Sequence, residues 1–188
     1  MRLRTFLWLC VFSITLGGVG LFLGLRSYRV FTQEELVAVV QCGTSPKKEA
    51  EGAFLVEVTQ VTRGIPGRPE KFSMRGDQWT IGGEILKWHP WLNFVGMRNC
   101  HKLTRVGSRY LQARQEMENP RWAYDLNGGT DLLWEWLYRF GRRIPLVEAV
   151  YGNATYQLAQ PGSRWGVYVT LSGYLAKPLA NLPVSKKP

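Results

Sequence analysis

Apolar positions are arranged in three ways along the chain. The first is a run of 21 residues, Thr5 to Leu25, with no charge. As a helix rising about 1.5 Å per residue it spans roughly 30 Å, the hydrocarbon thickness of a bilayer. Arg2 and Arg4 precede it, Arg26 and Arg29 follow it, and Trp8 and Tyr28 sit near its ends, where amphipathic aromatics settle. The run exceeds a signal-peptide core of about 7–15 residues and ends in no A-x-A-like site. Leu7-Trp8-Leu9 before Cys10 lacks the small residues of a lipoprotein signal. Residues 1–29 are therefore expected to be an uncleaved transmembrane anchor with its flanks.

The second arrangement is short alternating or β-branched runs between turn residues, the mark of strands. Leu36–Val40 and Phe54–Val61 are two such runs, the second broken by Gly64-Ile-Pro-Gly-Arg-Pro69. Lys71–Met74 and Gln78–Trp88 read as a hairpin about Arg75-Gly-Asp77, with Gly82-Gly83 marking a bulge. Arg109–Met117 reads as a further strand. Ala154–Leu158 and Trp165–Leu171 flank the turn Gln160-Pro-Gly-Ser163, and Tyr174–Lys177 follows.

The third arrangement is helical. Thr130 is the N-cap candidate and Asp131 suits the positive helix end. Leu132, Leu133, Trp136, Leu137 and Phe140 recur on one face, which is expected to pack on the core; Gly141 stops the helix. Seven or so strands and one helix, without β-α-β alternation, predict a mainly β domain over 30–180, either an antiparallel sandwich or an open barrel. Pro183 and the Ser-Lys-Lys-Pro ending predict a flexible tail over 181–188.

Charge adds a partner class. With Arg2 and Arg4 set aside, 22 of the 24 Lys and Arg remain against 14 Asp and Glu. Such a surface is drawn to anionic lipid or nucleic acid. A tether supplies the lipid directly, so lipid is expected and nucleic acid is not. Cys42 and Cys100 match no zinc spacing. They would form one disulfide in an oxidising compartment or remain two buried free thiols. Gly20 and Gly24 make a GxxxG match, either a contact for a membrane-protein partner or ordinary transmembrane glycine.

The candidate site is the stretch from Trp88 to Arg114. Trp88, Trp91 and Phe94 are followed by Arg98, Lys102, Arg105, Arg109 and Arg114, with no acidic residue between Glu84 and Glu116. Three readings stay open: a membrane-touching surface, a groove for an anionic ligand, or a loop packed on the core before a solvated basic strand. His89 and His101, the only histidines, sit in no catalytic motif, and no Gly-x-Ser-x-Gly or P-loop occurs. No cofactor or metal is expected, and a non-enzymatic domain is. Arg75-Gly-Asp77 and Asn153-Ala-Thr155 are attributed to chance.

Several pieces carry a resemblance: Leu25-Arg-Ser-Tyr28, Arg75-Gly-Asp-Gln-Trp79, Ile85-Leu-Lys-Trp88, Gly107-Ser-Arg-Tyr110, Ala149-Val-Tyr-Gly152 with Ala154-Thr-Tyr156, and Leu175-Ala-Lys-Pro178. Across most of the domain the chain resembles uncharacterised membrane-anchored proteins of Gram-negative bacteria, some labelled as multidrug efflux or cation transport proteins. The resemblance implies an inner-membrane envelope protein and brings no catalytic residues. A transporter needs several spans around a midplane site, and one is legible here. The expectation is a single-span protein whose exported β domain binds lipid, a partner or a small ligand; an accessory role in a transport complex and an enzyme with an unrecognised site are the alternatives.

Overall fold

The computed structural model describes residues 2–44 and 52–179. Its elements run α1 (Arg2–Phe31), β1 (Glu35–Thr44), β2 (Ala53–Thr62), β3 (Ile65–Arg75), β4 (Gln78–Trp88), α2 (Pro90–Val95), β5 (Cys100–Arg109), α3 (Ala113–Glu118), β6 (Ala123–Asp125), α4 (Leu132–Phe140), a 3-10 turn (Gly141–Arg143), β7 (Val147–Leu158), β8 (Arg164–Val169) and β9 (Tyr174–Pro178). Within α1, Arg4–Tyr28 is long and apolar enough to cross a membrane. The tail expected over 181–188 lies outside the described residues.

The strands form two antiparallel sheets, ordered β3-β2-β1-β8-β9 and β6-β5-β4-β7, which do not close into a barrel. Of the two architectures expected, the sandwich is the one adopted. The alternation in β2 turns Phe54, Val56 and Val58 inward. With Val40 and Val167 they meet Trp79, Ile81, Ile85 and Val106 of the other sheet in one core. Each such side chain contributes about 1.5–3 kcal/mol by leaving water.

Several expectations are corrected. β3 and β4 are not a hairpin: β3 pairs with β2 and β4 pairs with β5 and β7, so Arg75-Gly76-Asp77 carries the chain from one sheet to the other. Gly76 has φ 140° and an added Cβ would lie 2.7 Å from the Arg109 carbonyl, so only glycine turns this corner. The break at Gly64 is shorter than expected, because β3 is an edge strand and an edge accommodates Pro66 and Pro69. Arg109–Met117 is not a strand. β5 ends at Arg109 and α3 follows, with Arg114 and Glu118 paired at helical spacing. The Gly82-Gly83 bulge is present as a register shift against β5.

α4 differs in both its cap and its face. Asp131, not Thr130, is the N-cap, its carboxylate accepting from the Trp134 amide. Thr130 Oγ1 instead donates to Glu84. Trp134 and Leu137 are the buried residues, packed with Leu86 and Val147 on the outer face of the β4-β7 pair. Of the expected core stripe only Leu137 is buried; the rest is turned outward, Leu132 being 82% and Trp136 49% exposed. The rotation is set by polar contacts, since Tyr138 donates to Glu84 and Lys102 pairs with Asp131 at 2.9 Å.

Candidate functional site

Strand alternation decides where the basic stretch goes. On β4 the even-numbered residues Thr80, Gly82, Glu84, Leu86 and Trp88 face away from the core, and register sets Gly107, Arg105 and Lys102 beside the first three. Six of the seven residues expected to form one surface fall into two regions, and the seventh, Lys102, into neither.

The first region lies at the end of the sandwich where α1 enters. Trp88 is half-buried against the α4 cluster and donates from Nε1 to the Arg98 carbonyl at 3.0 Å. Trp91 is 60% exposed on α2, while Phe94 is half-buried. Arg26 at the end of α1 donates to the carbonyls of Phe94 and Val95, both at 2.9 Å, and its guanidinium lies 5.8 Å from the Phe94 ring centroid. These are C-terminal carbonyls of α2, the negative end of a helix, which suits a cation. Arg98 pairs with Glu35 at 3.3 Å, an exposed contact worth about 0–1 kcal/mol.

A backbone hydrogen bond ties the segment after α4 to this region. His89 donates its amide to the Leu146 carbonyl at 3.0 Å, which joins the start of α2 to the segment after α4. Trp136 and Phe140 lie 5.8 Å apart, and Arg143 sits 5.5 Å over the Phe140 ring. Leu146, Trp91 and Val95 are exposed as well. Sequence reasoning missed the exposure of Trp136 and Phe140 because their stripe reads as a core face.

The second region is the far half of the same sheet face. Arg105 and Arg109 stand over Thr80, Gly82, Gly107 and Ala154, beside Arg121 and Tyr156, around a trough of about 580 Å³. The Arg109 guanidinium lies 4.4 Å from the Tyr156 ring centroid, and Arg121 pairs with Glu116 at 3.1 Å. Arg121 and Tyr156 carried no signal at sequence level, since only the β5-β6 connection and the β7 register bring them here. Lys102 belongs to neither region: Asp131 engages it.

Glu84 divides the two regions. Its carboxylate is buried, takes hydrogen bonds from Tyr138 and Thr130, and has no cation within ion-pair distance among the described residues. Burial, and next the Glu84 carboxylate, push the Tyr138 phenol well above its ordinary range, so it stays a donor.

Cys42 is buried in the first sheet and Cys100 is exposed on the second; both are free thiols. Burial pushes the Cys42 thiol up and holds the His101 imidazole below its usual value. An added Cβ at Gly20 or Gly24 would meet nothing within 4 Å among the described residues. No group of His, Cys, Asp and Glu able to hold a metal occurs among them.

Comparison with protein-family models, with curated proteins and with solved structures finds no match.

Proposed function

We propose that this is a single-span, non-enzymatic envelope protein whose β domain lies against the membrane that α1 crosses, with lipid as its first partner. The observation that carries this reading is the exposure of Trp91, Leu146, Phe140 and Trp136, with Trp136 and Phe140 in ring contact and Leu146 bonded to the start of α2, which holds Trp91. Tryptophan rings are suited to the headgroup level, and Arg143 beside them is suited to phosphate. The Arg26 contacts support a fixed angle between α1 and α2, so the rings approach the bilayer as one face. In keeping with the sequence reading, the domain is assigned to the exported side of the inner membrane.

The test uses the full chain in liposomes that contain brominated lipid. Trp91 and Trp136 should contribute to the quenching, and Trp91→Phe and Trp136→Phe should each reduce it. If both variants are quenched as fully as the wild type, the domain stands clear of the bilayer and the proposal fails. The side is read in a Cys10→Ser background with an impermeant maleimide on intact cells. Labelling of exposed Cys100 without reduction supports export; labelling only after the inner membrane is permeabilised overturns it.

A further inference from the structure

The far half of the second sheet's outer face is left open as a trough, bordered on one side by Ala113 and Glu116 of the short α3. Its floor is Gly107, Thr80, Gly82 and Ala154, none of them larger than threonine. Packing accounts for part of this. An added Cβ at Gly107 would lie 2.6 Å from the Trp122 carbonyl, and one at Gly82 would lie 2.8 Å from the Ala154 Cβ. The consequence is a hollow rather than a flat sheet. At about 580 Å³ it falls within the roughly 300–1,000 Å³ of small-molecule sites.

Its charge is not self-compensated. Arg121 is neutralised by Glu116. Arg105 and Arg109 have no carboxylate within ion-pair distance among the described residues, and Arg109 is steadied by the Tyr156 ring. Two guanidiniums over a hollow supply forked donors that match a phosphate or carboxylate. Beyond Arg105 an adjoining hollow of about 400 Å³ carries Glu84 and Asp125, so an anion is repelled there and confined to the Arg109 side.

We propose that this trough binds a soluble molecule bearing an oxyanion, held by Arg105 and Arg109 with its uncharged part on the Gly107, Gly82 and Ala154 floor. Distance favours a soluble ligand over a lipid headgroup. Thr80 lies eight residues along β4 from Trp88, about 26 Å at a strand rise of about 3.3 Å. That is several times the Debye length of about 8 Å in physiological salt.

The test places the full chain in phosphatidylcholine nanodiscs and titrates pyrophosphate by calorimetry. Saturable binding is expected. It should weaken at least about tenfold in the Arg105→Gln/Arg109→Gln double variant, the loss of about one charge-assisted contact or more. Ala154→Phe fills the floor from an exposed position without altering charge. It should abolish binding while the melting midpoint holds. Arg68→Gln, on the edge strand β3 of the other sheet, should leave binding unchanged. Absence of saturable binding at millimolar pyrophosphate overturns the site, as does equal binding by the double variant or by Ala154→Phe. If the two arginines matter only for engaging discs that contain phosphatidylglycerol, the trough is a headgroup site and the soluble-ligand proposal falls. None of these readouts involves Trp91 or Trp136, so this failure and that of the membrane-facing reading are distinguishable.

Discussion

The two halves of one sheet face are built from opposite materials. Near α1 the outward rows hold Leu86, Trp88, Val147 and Val150, and α4 covers them with Trp134 and Leu137. Farther along, the rows hold Thr80, Gly82, Gly107 and Ala154, and they remain open. A covering helix is stable only where it removes apolar area from water, and the small-residue rows have little to offer. Glu84 sits at the boundary and fixes α4 through Tyr138 and Thr130. One strand thereby carries a packed half and a binding half.

The largest effect should come from the core beneath the open half. Trp79 is fully buried, so Trp79→Ala should cost about 3–5 kcal/mol in chemical denaturation. Both halves should unfold together; separate transitions would break the picture of a shared core. Next is the orientation of α4. Leu137→Ala should cost about 2–4 kcal/mol, and Trp136→Ala in detergent less than about 1 kcal/mol. Equal losses would mean that the exposed stripe is packed after all.

The boundary itself is tested by Glu84→Ala, which removes the acceptor from Tyr138 and Thr130. A loss of about 1–3 kcal/mol is expected, with faster proteolysis around α4 and little change at β2. Uniform protease sensitivity would remove Glu84's boundary role. The smallest effect concerns pH. Burial, opposed in part by Glu35, holds the His101 pKa below its unfolded value of about 6.5. The unfolded chain then binds the proton first, so stability falls as pH drops below about 6.5 and levels off under the folded pKa. His101→Gln should remove that part of the pH profile. An unchanged profile would show that His101 is equally hydrated in both states.

The strands were legible wherever alternation and turn chemistry agreed. Val56 and Val58 on β2 and the turn before β8 follow directly from residue order, whereas Val61, expected in the same alternation, is only half-buried. The reading failed where two answers share one local pattern. Arg75-Gly-Asp77 has the composition of a hairpin turn, and the sheet to which each arm belongs is settled by partners far away in sequence. Arg109–Met117 reads locally as a further strand, whereas β5 ends at Arg109 and the short α3 follows. The candidate site was half legible: the run of bases from Arg98 to Arg109 was visible, whereas its division was not. Bulges and register send Lys102 to Asp131 and set Arg105 and Arg109 beside Tyr156 and Arg121.

The sequence by itself determined the apolar N-terminal helix, the β-rich class and the helix at Leu132–Phe140, because these rest on near-neighbour periodicity. Tertiary structure alone decided that the sheets form a sandwich, that Trp134 rather than Trp136 faces the core, and that Cys42 and Cys100 lie on different sheets. Each depends on contacts between residues distant in the chain. On α4 the apolar residues reach around more than one face, so hydrophobic periodicity leaves the rotation undetermined. The hydrogen bond from Tyr138 to Glu84, reaching across the β4-α4 packing, fixes it.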